Sequence, residues 1–139
     1  MYSDRIAYTR GYKYQLREDA IVQTVILPAE TILTRYITLD INGLLTVQNG
    51  YSWDGPSGPT FDTRTFLRGS LFHDALYQLI RQGHLTINPN RKLADELLHT
   101  VCLRDGMNRL RAWYVYRAVR RLGKSAALPS SQKPVLYAP

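Results

Sequence analysis

The chain has 139 residues, 45% hydrophobic and 21% charged, with 18 Lys and Arg against 11 Asp and Glu and one cysteine. That length fits one compact domain with a core of its own, and a lone Cys102 excludes a disulfide framework or a cysteine zinc cage. No apolar run approaches the roughly 20 residues of a bilayer-spanning helix, so no transmembrane segment is expected. The start, MYSDRIAYTRGYKYQL, lacks the apolar stretch and cleavage site of a secretory signal, so synthesis in a cytoplasm is expected.

Charge is distributed unevenly. Residues 1–62 hold five Lys and Arg with seven Asp and Glu, net −2, whereas residues 63–139 hold thirteen with four, net +9. A basic half favours an anionic partner such as nucleic acid, anionic lipid or an acidic protein.

The first third predicts β structure. YKYQL (12–16), AIVQTVIL (20–27), RYITLDI (35–41) and LLTVQ (44–48) are rich in β-branched and aromatic residues with partial period-two alternation. Asn42-Gly43 predicts a tight hairpin over Ile37 to Gln48, with positive φ at both central positions. The segment 49–62, NGYSWDGPSGPTFD, reads either as an ordered site-forming loop anchored by Tyr51, Trp53 and Phe61 or as a plain crossover from sheet to helices.

From Thr63 the spacing becomes helical. Phe66, Leu71, Phe72, Ala75, Leu76 and Leu79 mark a helix over 65–82 that stops at Gly83. Asn88-Pro89 predicts an N-cap followed by proline at the first helical position, opening a helix to about Arg104. A third helix over 106–122 is expected to bury Met107, Leu110, Trp113 or Tyr114, Ala118 and Val119, to expose Arg117, Arg120 and Arg121, and to end at Gly123. The fold class is therefore α+β, a small antiparallel N-terminal sheet followed by about three packed helices. One domain is expected over 1–123, β-rich over 10–62 and helical over 63–123, with an extended tail over 124–139.

The segment RGSLFHDALYQL could carry chemistry. On a helix His73 and Tyr77 share a face, while Asp74 is turned about 100° away. Asp95 on the next helix can face His73 if the two helices run antiparallel, and Asp95 with His99 forms a further i, i+4 pair. A carboxylate on one imidazole nitrogen leaves the other free to take a proton from water, which is general-base hydrolysis. Tyr77, with Tyr114 or Tyr116, could bond the same carboxylate. Asp74 could be the charged ligand of a hard cation, completed by backbone carbonyls of residues 53–58. The alternative is a histidine satisfied within the helix packing.

The His-Asp-x-x-Tyr helix, preceded by a Gly-rich loop and followed by an Asp-bearing helix, resembles the secreted phospholipase A(2) superfamily, especially its short bacterial and viral forms. The resemblance covers residues 51–100. It implies His73 as general base, Asp95 as the residue that orients it, Tyr77 as support, and calcium on Asp74 with carbonyls of the loop containing Trp53, Gly55 and Gly58. Over residues 10–123, YKYQLREDAIVQT, YSWDGPSGPTFDTRTFLRGSLFHDALYQLIR, RKLADELL and MNRLRAWYVYRAVRRLG resemble a phage and prophage family of domains of unknown function, numbered thirteen fifty-three. That family implies a phage setting with virion association left open, and no set activity.

Three functions follow as expectations: a phospholipase-like hydrolase acting on an ester or phosphoester of the host envelope, a non-catalytic tail or baseplate protein, or an intracellular inhibitor of host defence. Arg109, Arg117, Arg120 and Arg121 are the candidate anion-binding residues, against the plainer reading of a solvated face. The expected partners are phage structural proteins or envelope lipid, with self-association open and nucleic acid less favoured. Asp54 and Asp62 suit cation binding or turn capping, Cys102 reads as a small buried thiol, and Trp113, Tyr114 and Tyr116 are expected to pack in the core.

Overall fold

A computed structural model describes residues 5–9, 14–53 and 64–128. The architecture is α+β, with small antiparallel sheets preceding three helices. The described residues fall into two compact units, one holding those before position 56 and the other those from 64 to 128. The division lies in the Gly/Pro-rich stretch.

The first unit contains two sheets. One pairs β1 (Tyr8–Thr9), β2 (Tyr14–Leu16) and β7 (Ser52–Trp53) in the order β1-β2-β7. Tyr14 lies opposite Trp53, with ring centroids 5.5 Å apart. The other contains β3 (Ala20–Gln23), β4 (Ile32–Leu33), β5 (Ile37–Leu39) and β6 (Leu44–Val47), in the order β3-β6-β5-β4. Period-two alternation puts Ala20, Val22, Ile37, Leu39, Leu45 and Val47 on one buried face. Their register, Val22 and Leu39 both opposite Leu45, stacks them as cross-strand neighbours.

The hairpin forms with a different turn. Its tight turn runs from Asp40 to Gly43, closed by Gly43 N–H donating to Asp40 O at 3.0 Å, so Ile41 and Asn42 are the central residues. Positive φ falls on Gly43 at 86°. Asp40 decides this, because its Oδ1 accepts from the amides of both Asn42 and Leu44 at 2.9 Å. A Cβ at Gly43 would also lie 2.6 Å from Thr24 O.

The second unit contains α1 (Leu67–Arg81), α2 (Asn90–Arg104), α3 (Arg109–Leu122) and a 3-10 turn, Ser125–Ala127. α1 and α2 approach closely at Gly69, where a Cβ would sit 2.9 Å from Leu98 Cδ1. Arg68, at the start of α1, donates from Nε and Nη2 to Asp105 at the end of α2, at 3.0 and 2.7 Å. That bidentate pair joins the start of one helix to the end of the other, as antiparallel packing requires. Leu98, Cys102, Met107 and Ala112 form a core with Phe66, Val115 and Val119 against it.

Two helix starts differ from expectation. α2 begins at Asn90, one residue after Pro89, and no side chain caps its first turn; the Asn90 amide donates back to Thr86 O instead, at 3.0 Å. α3 begins at Arg109 because Gly106, at φ 99°, breaks the chain and Asn108 then caps the helix, accepting from Leu110 N at 2.9 Å.

The buried flank of α3 also differs. Ala112, Val115 and Val119 face the core, whereas Leu110, Trp113 and Tyr114 are exposed. Tyr116 is half-buried, its ring 5.6 Å from that of His99. Both flanks carry apolar side chains, and the small ones pack because α2 and α3 lie close.

Candidate functional site

The helix pair brings His73, Tyr77 and Asp95 together. His73 and Tyr77 occupy one face of α1, with ring centroids 4.1 Å apart. Asp95, on α2, is 0% exposed. Its Oδ1 lies 2.7 Å from Nε2 of His73 and accepts a 2.7 Å hydrogen bond from the Tyr77 hydroxyl. The antiparallel packing of α1 and α2 makes the meeting of these residues possible.

Two arginines complete the shell of Asp95. Arg120, from α3, donates to Oδ2 at 2.9 Å, and Arg91, one turn before Asp95, donates to it at 3.5 Å. Arg91 also donates to the Tyr77 hydroxyl at 3.3 Å and to the carbonyls of Val119 and Arg120 at 3.2 Å. One buried carboxylate thus joins three helices. A carboxylate out of water is costly unless paired and hydrogen-bonded, and this one accepts from four side chains.

The electrostatics follow from that shell. Burial opposes the charged imidazolium of His73, but Asp74 and Asp95 outweigh it and raise the pKa above 6.5. Burial likewise opposes the ionised Asp95, but His73, Tyr77 and Arg120 hold its pKa below 3.8. Burial and the hydrogen bond to Asp95 push the Tyr77 hydroxyl up, so it stays a donor.

His73 is 9% exposed and Asp74 is half-exposed. Asp74 Oδ1 lies 3.9 Å from Nδ1 of His73, the ring nitrogen turned away from Asp95. Among the described residues no cluster of three or more His, Cys, Asp or Glu is arranged to hold a metal. Trp53 lies buried in β7 of the first unit. Gly55 and Gly58, like Asp54 and Asp62, lie outside the described residues.

The candidate anion-binding arginines divide. Arg109, Arg117 and Arg121 are exposed, whereas Arg120 is turned inward onto Asp95. Arg120 therefore leaves the basic face: the charge of Asp95 holds it. Sequence reading also missed Arg91, whose signal was its i, i+4 spacing before Asp95. His99, on the other side of Asp95, lies against Tyr116 instead.

The fold and site define an α+β chain with a buried His-Asp pair in a helix bundle. No protein-family model matches the chain, and no curated protein or solved structure matches it.

Proposed function

We propose that this chain is a phage-encoded hydrolase of ester or phosphoester bonds, acting at the host envelope with His73 as general base. One observation carries the reading: the 2.7 Å contact of His73 Nε2 with Asp95, which leaves Nδ1 facing away from the pair. A carboxylate at Nε2 keeps the proton there and the lone pair on Nδ1. Nδ1 then removes a proton from water as the water oxygen bonds to the carbonyl carbon or phosphorus. The proton passes from Nδ1 to the leaving alkoxide as its bond breaks. Asp95 and Asp74 stabilise the intervening imidazolium, consistent with the raised pKa.

Calcium, when bound, would polarise the substrate oxygen. Asp74 is the candidate ligand from the helix pair. The phage setting comes from the motif resemblance.

The test is release of fatty acid from phospholipid mixed micelles, with calcium or a chelator. Loss of release in His73→Gln, with the circular dichroism spectrum intact, supports the reading. Equal release by that variant, or none by the wild type in either condition, overturns it. A second reading, a non-catalytic tail or baseplate protein, is favoured by the four donors on Asp95, an arrangement that a helix joint alone would use. Stoichiometric copies in purified virions, together with no release, support that alternative.

A further inference from the structure

α3 exposes more apolar surface than a helix packed by one flank requires. Leu110 is 74% exposed, Trp113 53%, Tyr114 68% and Leu122 77%. Positions 110, 113, 114, 117 and 121 fall within about 100° of arc and along about 17 Å of axis. The stripe therefore reads Leu110, Trp113, Tyr114, Arg117, Arg121, opposite the flank formed by Ala112, Val115 and Val119. The Arg117 guanidinium lies 5.6 Å from the Trp113 ring centre.

The charge of this face is of one sign. α3 contains no acidic residue, and Arg109 and Lys124 add exposed cations at its two ends. Of the four acids in residues 63–139, Asp95 is taken by Arg91 and Arg120 and Asp105 by Arg68, while Asp74 adjoins His73. Glu96 lies on α2.

We propose that this outward face of α3 docks on an anionic lipid bilayer. A polyanion of any kind satisfies the arginines, but Leu110 beside the exposed Trp113 requires apolar depth. At a bilayer interface Leu110 enters the acyl region, Trp113 and Tyr114 sit at the ester level, and Arg117 and Arg121 reach lipid phosphates along their methylene stems. Single-stranded nucleic acid would use the arginines and rings but offers nothing to Leu110. A second copy seated face to face would set Arg117 and Arg121 against their own charge. The inference does not depend on the hydrolase reading, because docking needs no turnover.

The test uses the full chain with vesicles of phosphatidylcholine alone or mixed with phosphatidylglycerol, read by co-sedimentation and tryptophan emission. Trp53 is 3% exposed, so a blue shift on binding reports Trp113. Expected are binding and a blue shift with phosphatidylglycerol vesicles, and weak binding without it. Each arginine near an anionic surface is worth about fivefold in affinity, so Arg117→Glu with Arg121→Glu reduces binding at least about 25-fold. Leu110→Ser with Trp113→Ala weakens binding at unchanged circular dichroism. His73→Gln binds as the wild type does, which separates docking from hydrolysis. Wild-type-like binding by the Leu110/Trp113 variant, or no blue shift, overturns the proposal. So does an oligonucleotide complex or a dimer that needs these residues when vesicles do not bind.

Discussion

Replacing Asp95 by Asn keeps the volume of a fully buried side chain and removes its charge. That charge serves His73 and Tyr77 at 2.7 Å, Arg120 at 2.9 Å and Arg91 at 3.5 Å. Removing one partner of a buried ion pair costs about 3–5 kcal/mol, because the other charge stays buried without compensation. Here Arg120 is 29% exposed and can turn toward water, while Arg91 at 10% cannot. The expected loss is therefore at the lower end, about 3 kcal/mol. In urea denaturation, with slopes of about 1–3 kcal/mol per molar, the midpoint falls by about 1–3 M at unchanged slope. The imidazole resonances of His73 titrate at lower pH, because burial then meets only Asp74. A loss below about 1 kcal/mol, the worth of an exposed pair, with His73 titrating unchanged, would refute the role of Asp95 as a charged joint.

Gly69→Ala is expected to cost about 1–3 kcal/mol in thermal unfolding by overpacking, since its Cβ would meet Leu98 Cδ1 at 2.9 Å and Cys102 Sγ at 3.1 Å. Gly83→Ala, which meets nothing within 4 Å, costs only the strain of its positive φ, about 1–2 kcal/mol. The stability that wild type has over His73→Gln is full below pH 6.5 and declines as pH rises through the raised native pKa of His73. Asp95 contributes in the opposite sense: its stabilisation is present above pH 3.8 and disappears as pH falls through its lowered native pKa. Cys102, fully buried and with its thiol pushed up to about 12, reacts with a thiol reagent only as fast as the protein opens, so labelling rises with urea.

The helix pair was legible because His73, Tyr77 and Asp95 lie on helices with strong apolar spacing, and antiparallel packing leaves few ways to arrange them. The shell around Asp95 was not. Arg91 and Arg120 belong to a basic half in which any single arginine looks solvated, and only the third dimension shows which two meet a carboxylate. The orientation of α3 was misread for a related reason: Leu110, Trp113 and Tyr114 outweigh Ala112, Val115 and Val119 in side-chain area, yet the smaller set allows close approach. β1, β4 and β7 have two residues each, too few for an alternation to register. The hairpin was legible as a hairpin, while its turn depended on where the Asp40 side chain bonds.

A helix ordinarily loosens first at its ends, where the last carbonyls have no partner. α3 departs from that pattern. Asn108 closes its first turn, and the Arg91 guanidinium, anchored on Asp95, holds the carbonyls of Val119 and Arg120. With Ala112 its one fully buried residue, α3 is fastened at its termini more than along its length. Its outward side chains therefore stand on a stiff rod, and its terminal amides should exchange hydrogen more slowly than such an exposed helix would suggest.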